Sequence, residues 1–247
     1  MRRIKLIIAY DGTNYCGWQI QKNGITVEEI LNKTIGKLTG EDIHIIGASR
    51  TDSGVHAHGQ VGVFDTESTI PGERFSYAIN QKLPEDIVIL TSEEVDAAWH
   101  PRYQNEIRKT YIYNIHNEKR EDPLKRLYAA HVSFDLDVEK MQKGAEYLLG
   151  EQDFASFCNI KSQVENTVRT IYRLQVERNG TDIQITVEGN GFLYNMVRII
   201  AGVLIRVGRG FYTPEKVKEI LEKKERTQEG ITAPAKGLIL EGIHYGK

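Results

Sequence analysis

The first half of the chain shows apolar periodicities that change from strand to helix and back to strand. Residues 5–10 form an apolar, β-prone run that predicts a strand closed by Asp11-Gly12. Thr26 and Glu29 have the spacing of a capping box, and apolar residues at helical spacing then continue to a stop at Gly40. Three further strands are predicted at 43–46, 60–64 and 87–90.

The second half repeats this order after about residue 104. A strand is predicted at 109–115, and a helix is predicted to begin at the cap residue Asp137 and to stop at Gly150. Asn179-Gly180 is a strong signal for a hairpin turn between two strands. The remaining predictions are hairpin strands at 170–177 and 182–188, a buried helix at 192–207, a helix begun by Thr213-Pro214 and a last strand at 237–243.

The repeated order predicts an α+β fold. We expect two similar α/β lobes with largely antiparallel sheets flanked by helices, and an active-site cleft between them. The expected division is residues 1–104, with the glycine-rich connection between strands, and residues 105–247.

Composition excludes several classes of protein. Of the 247 residues, 40% are hydrophobic and 27% are charged, which is ordinary for a globular chain and argues against disorder. No apolar stretch is long enough to span a bilayer. The two cysteines, Cys16 and Cys158, cannot form a disulfide framework, and this favours a reducing cytoplasm.

Positive charge is local, because the formal net charge of the whole chain is −2. Residues 102–126 contain seven basic and four acidic side chains, and residues 191–212 contain three arginines and no acid. Such clusters usually form a solvated surface, so on their own they make phosphate binding only plausible.

The connection GASRTDSGVHAHGQV, residues 47–61, has three interpretations. Its glycines and short polar residues suit a turn between two strands. Alternatively, His56 and His58 could bind a metal ion together with Asp52, although no HExxH-like element or cysteine pair supports this. In the third interpretation Asp52 is a lone catalytic carboxylate in a glycine-rich loop that can approach a bulky substrate.

The string Arg50-Thr51-Asp52 followed by Gly54-Val55-His56-Ala57 resembles the catalytic motif of the tRNA pseudouridine synthase A family. Further strings resemble other blocks of that family in the same order: 10–12 with 17–19, Asn80 with 83–87, 109–113, 153–157 and 191–198. This chain departs from the usual family residues at Ser49 (usually Gly), Ser53 (commonly Ala) and Ile20 (often Arg or Lys).

The resemblance implies isomerisation of uridine to pseudouridine at positions 38 to 40 of the tRNA anticodon stem-loop, with Asp52 as the catalytic nucleophile. Three roles of its carboxylate stay open: addition to the uracil ring, attack on C1′, or removal of a ribose proton as a base. It implies that Arg198 pairs with Asp52, and that Tyr111 stacks on the uracil and takes the proton from C5. Arg50 would hold a phosphate or fill the space left by the flipped base, and Leu240 would form part of the pocket wall. No cofactor or metal is implied.

As partners we expect tRNA and a second copy of the chain in a homodimer, and no membrane. Two alternatives remain open: a non-catalytic RNA-binding α+β module, and a metal-dependent hydrolase that uses Asp52, His56 and His58.

Overall fold

Residues 1–107 and 240–247 form one unit of the computed structural model, and residues 108–239 form the other. The structure describes residues 1–159, 166–225, 227 and 229–246. The expected fold class is confirmed, because each unit contains a mostly antiparallel sheet with helices packed against it.

The sheet of the first unit is built around its N-terminal strand. β1 pairs antiparallel with β3 and with β4, and the short β2 also pairs antiparallel with β3. Every second residue of β1 from Ile4 to Tyr10 is buried, as alternation predicts. The elements are β1 (Arg2–Tyr10), α1 (Val27–Thr39), β2 (Ile46–Gly47), β3 (His56–Thr66), α2 (Phe75–Asn80) and β4 (Ile87–Val95).

Helix α1 is confirmed with its predicted caps. The Thr26 hydroxyl oxygen accepts a hydrogen bond from the Glu29 N–H at 3.3 Å, and Gly40 ends the helix in the left-handed region at φ 77°. The strand predicted at 43–46 is mostly wrong, since only Ile46 of that range belongs to β2. Its Ile45 N–H donates instead to the side chain of Asn32 on α1.

The second unit has a sheet in which β5 pairs with β9, β9 with β8 and β8 with β7, all antiparallel, while the short β6 pairs parallel with β5. Its elements are β5 (Arg108–His116), β6 (Ala130–His131), α3 (Val138–Glu146), β7 (Gly150–Asp153), β8 (Val168–Asn179), β9 (Asp182–Gly189), α4 (Met196–Gly208) and α5 (Glu215–Glu222). β10 (Leu238–His244) begins in this unit and continues into the first, where it lies beside β3.

The predicted hairpin and the predicted N-cap Asp137 are confirmed. Asn179 faces Asp182 across the turn, with Gly180 at φ 60°, and the Asp137 carboxylate accepts from the Lys140 N–H at 3.0 Å.

The stop predicted at Gly150 is wrong, because α3 ends at Glu146 and Gly150, at φ 84°, begins β7. The N-cap of α5 is Pro214 and not Thr213, and it has no side-chain cap. The buried helix starts later than predicted, at Met196, because Asn195 has a left-handed backbone that a continuous α-helix excludes. Its apolar residues are buried on nearly all sides.

Among the α-helices and strands that the structure describes, α2, β6 and β7 were not predicted. The first has six residues and the others have two and four, so none shows a full apolar period. The helices that the structure describes include none that is both long and apolar enough to cross a membrane.

Candidate active site

The Asp52 loop connects β2 to β3 in the first unit. Arg50 is exposed, Thr51 is buried and Asp52 is partly buried. The Thr51 hydroxyl forms a buried 2.7 Å hydrogen bond with the hydroxyl of Tyr10 at the end of β1.

Backbone hydrogen bonds hold this loop against the segment that follows β1. The Trp18 N–H donates to the Thr51 carbonyl at 3.1 Å, and the Gly54 N–H donates to the Tyr15 carbonyl at 3.3 Å. Within the loop, the Val55 N–H donates to the Asp52 carbonyl at 3.1 Å. The backbone of Asp52 is therefore bonded within its loop, and the residues on both sides of it are bonded to the N-terminal segment.

Close backbone approach explains the glycines of that segment. A Cβ on Gly17, which has φ +85°, would lie 2.6 Å from the Thr51 carbonyl oxygen and 3.1 Å from the Asp52 carbonyl carbon. A Cβ on Gly12 would overlap the Val55 carbonyl. Only glycine lets the two segments lie this close.

Ser49 is buried beside the loop and is held by Gln60. The Ser49 N–H donates to Gln60 Oε1 at 3.2 Å, and the Ser49 carbonyl accepts from Gln60 Nε2 at 2.6 Å. The Ser49 hydroxyl has no hydrogen-bond partner among the residues that the structure describes. Local structure therefore depends on the backbone of Ser49, and glycine would supply the same bonds.

The two histidines of the motif have different partners. His56 is buried, and its Nδ1 accepts from the Gly12 N–H at 3.0 Å and lies 3.0 Å from Asp11 Oδ1. His58 is exposed, with Nδ1 2.8 Å from Glu241 Oε2. In the described part of the chain, no group of three histidine, cysteine or acidic side chains is placed to hold a metal ion.

Arg198 lies in the first turn of α4 in the second unit. Its Nε donates to the Ala233 carbonyl at 2.9 Å, and one terminal nitrogen donates to Asn195 Oδ1 at 3.0 Å. The backbone carbonyl of Arg198 also accepts from the Ala233 N–H. The left-handed turn at Asn195 therefore both starts the helix and orients the guanidinium.

Tyr111 lies on β5, opposite Val187, and is 7% exposed. Its ring packs edge to face on Phe192, with centroids 5.2 Å apart. Tyr113, two residues on, donates its hydroxyl to the Pro234 carbonyl at 2.9 Å. Burial raises the pKa of the Tyr113 phenol well above its usual value, against a smaller opposing effect of Arg198.

The first unit contains Arg50, Asp52 and the fully buried Leu240, and the second contains Tyr111 and Arg198. Sequence reasoning did not identify the roles of Tyr10 and Gly17 in holding the loop, nor those of Phe192 and Asn195. All four belong to strings that resemble family blocks, and this was the available signal.

A cavity of about 700 Å³ lies in the second unit. It is bordered by β5, the β8–β9 hairpin and the segment that contains Leu124 and Lys125. None of the five site residues predicted from the sequence lines it.

The family model and the curated relatives that match this chain indicate the same family. A family model described as "tRNA pseudouridine synthase" matches residues 6–104 and 145–246. Curated relatives named "tRNA pseudouridine synthase A" include one from Ruminiclostridium cellulolyticum, 52% identical over 246 residues, and one from Thermoanaerobacter sp., 49% identical over 245 residues. Each match covers 99% of this chain and 100% of the relative.

One solved chain, from a crystal structure of a Cbf5-Nop10-Gar1 complex, is 15% identical, with a TM-score of 0.33 and coverage of 82% of this chain and 45% of that one. The assignment does not depend on this likeness. The family match and the full-length relatives show that the chain belongs to the tRNA pseudouridine synthases, a family of isomerases.

Proposed function

We propose that this enzyme converts uridine to pseudouridine in the anticodon stem-loop of tRNA, with Asp52 as the catalytic nucleophile. The observation that carries the proposal is the construction of the Asp52 loop. Glycines and backbone hydrogen bonds of the N-terminal segment fix the residues around Asp52, and its side chain stays partly exposed. A nucleophile positioned on a fixed backbone is what covalent catalysis requires.

The reaction breaks the C1′–N1 glycosidic bond, turns the uracil and joins C1′ to C5. It involves no net redox change and no group transfer to a second molecule, so we expect no cofactor. The enzyme must assist departure of the base, retain it in a pocket and accept the proton from C5.

The other site residues take the roles that the family resemblance implies. Arg198 supplies the positive charge that keeps the catalytic carboxylate ionised. Its guanidinium is held by hydrogen bonds to Ala233 and Asn195. Tyr111, whose ring packs against Phe192, stacks on the uracil and takes the proton from C5, and the buried Leu240 provides an apolar wall.

The target uridine must leave its stem before it can react, at a cost of a few kcal/mol in stacking and pairing. Arg50 is exposed and lies two residues from Asp52, which suits it to the vacated space or to the phosphate. We assign the enzyme to the cytoplasm, where the free thiols of Cys16 and Cys158 would persist.

The test is tritium release from tRNA labelled at C5 of uridine. We expect release by the wild type, none by Asp52→Asn, and tRNA binding by both, because the amide keeps the shape of the carboxylate and removes the nucleophile. Asp42→Asn is the matched control, since Asp42 is an exposed aspartate of the same unit, and it should release tritium at the wild-type rate.

Two outcomes would contradict the proposal. Wild-type protein that binds tRNA without releasing tritium would indicate a non-catalytic RNA-binding module. Hydrolysis of tRNA without tritium release, lost in EDTA and restored by added metal, would favour the hydrolase alternative built on Asp52, His56 and His58.

A further inference from the structure

Arg102 is attached to the strand that leads into the Asp52 loop. Its Nε donates to the carbonyl oxygen of Gly47, the last residue of β2, at 2.7 Å. Arg50 lies three residues after Gly47. Both arginines belong to the first unit, together with Asp52.

The two guanidinium groups form a local concentration of positive charge. Arg102 is partly buried, and burial together with the charge of Arg50 lowers its pKa, against smaller opposing effects of Tyr103 and Glu28. Within the described ranges, neither arginine has a carboxylate within 4 Å. An anion bound here would relieve the repulsion between the two cations.

Tyr103 forms an exposed aromatic surface next to Arg102. It is 80% exposed, and one face of its ring stacks on His100, with centroids 4.4 Å apart and planes inclined by 24°.

The supporting ring is itself held in place. His100 Nδ1 accepts from the Arg102 N–H at 3.1 Å, and the His100 carbonyl accepts from Gln104. Burial, with help from Arg102 and Arg3, lowers the pKa of His100, so its ring is neutral at pH 7.

We propose that Arg102 and Arg50 together bind one backbone phosphate of the RNA, and that Tyr103 stacks on the base of an adjacent nucleotide. This proposal rests on the proposed function and names how the substrate strand is held beside Asp52. Arginine binds phosphate through paired N–H donors, and exposed aromatic rings stack on unpaired bases of any sequence. A ligand that offers both a backbone phosphate and an unpaired base is a single-stranded stretch of RNA.

The experiment compares Arg102→Gln and Tyr103→Ala with wild type, using unmodified tRNA. It measures KM and kcat by tritium release, tRNA affinity at several salt concentrations, and Tm. The matched controls are Arg74→Gln and Tyr77→Ala, because Arg74 lies 5.7 Å over the ring of the 67% exposed Tyr77 in the same unit.

We expect Tyr103→Ala to raise KM by roughly 10-fold with kcat little changed, and Tyr103→Phe to restore it, because the ring alone is needed. Arg102→Gln should weaken tRNA binding and reduce the slope of log affinity against log salt by about one, the signature of one lost phosphate contact. Arg102→Lys should recover that slope. The two control variants should match wild type in KM and slope.

A wild-type salt slope in Arg102→Gln, or a wild-type KM in Tyr103→Ala, would overturn the inference. An Arg102→Gln variant that binds tRNA more weakly and has a lower Tm, but keeps the wild-type salt slope, would also overturn the inference. That result would mean that Arg102 has only a structural role. Wild-type protein that binds tRNA but releases no tritium would overturn the proposed reaction, while the salt slopes would still decide the phosphate contact.

Discussion

At the scale of single residues, Gly17 shows how the N-terminal segment controls a loop distant from it in sequence. Its backbone has φ +85°, and the space where a Cβ would point is filled by the backbone of Thr51 and Asp52. Gly40 has nearly the same backbone, at φ +77°, but nothing lies within 4 Å of the Cβ position. A comparison of substitutions at the two glycines therefore distinguishes the effect of a strained backbone from the effect of a steric clash with the loop.

We predict that Gly40→Ala lowers the free energy of unfolding by about 1 kcal/mol through strain alone and leaves tritium release unchanged. Gly17→Ala adds a clash with the loop, so it should cost at least about 2 kcal/mol and reduce kcat by about 100-fold through displacement of Asp52. Chemical denaturation and tritium release measure the two effects. Equal behaviour of the two variants would contradict the contact described here.

At the scale of elements, the β8–β9 hairpin is tied to the segment that follows β5. Asp182, the first residue of β9, lies 2.6 Å from Lys125 Nζ and 3.2 Å from His116 Nδ1. Burial raises the pKa of Asp182, but hydrogen bonds from Lys125 and His116 outweigh it, so the pKa in the folded protein lies below the usual value.

A carboxylate with a lowered pKa stabilises the fold above its ordinary pKa of about 3.9, and this contribution is lost as the pH falls through the folded value. Asp182→Asn should therefore lower the free energy of unfolding at pH 7, by no more than about 1 kcal/mol because the side chain is half exposed. The difference from wild type should shrink on acidification.

Chemical denaturation at pH 7 and at successively lower pH measures the free energy of unfolding of both proteins. Glu222→Gln provides the control, because Glu222 and Lys218 form an exposed pair 3.8 Å apart that should contribute little at any pH. A difference between Asp182→Asn and wild type that is constant with pH would refute the ion-pair explanation.

The elements also show what could be predicted from the sequence. Helix α1, the start of α3 and the β8–β9 hairpin have local signals in their caps and turn, so they were predicted correctly. The 43–46 strand was not, because Ile45 bonds to a side chain on α1, and such a tertiary contact leaves no periodic signal.

In the candidate site, too, some residues have a local sequence signal and others depend on tertiary contacts. Asp52 stands out in its glycine-rich string, whereas Arg102 is one of seven basic residues in the 102–126 cluster, and only its hydrogen bond to Gly47 distinguishes it from the others. That bond joins residues 55 positions apart, and no local pattern predicts it.

At the scale of the whole molecule, a net charge of −2 is unfavourable for an enzyme whose proposed substrate is a polyanion. We predict that the protein is a homodimer, which would join the basic regions of two copies into a longer surface for tRNA. Sedimentation equilibrium at micromolar concentration should give twice the mass of one chain. The same run at high salt serves as control, and a single-chain mass at both salt concentrations would contradict the prediction.

β10 has a consequence for how the protein is made. It lies beside β3, so closely that a Cβ on Gly59 would be 2.8 Å from the Glu241 carbonyl oxygen. Domains of a nascent chain generally fold as units, and N-terminal domains fold first. The Asp52 loop is synthesised before the second unit, yet β10, a strand of its sheet, is completed only after that unit. During translation the second unit can fold before β10 is available, so the sheet that carries the Asp52 loop is completed late.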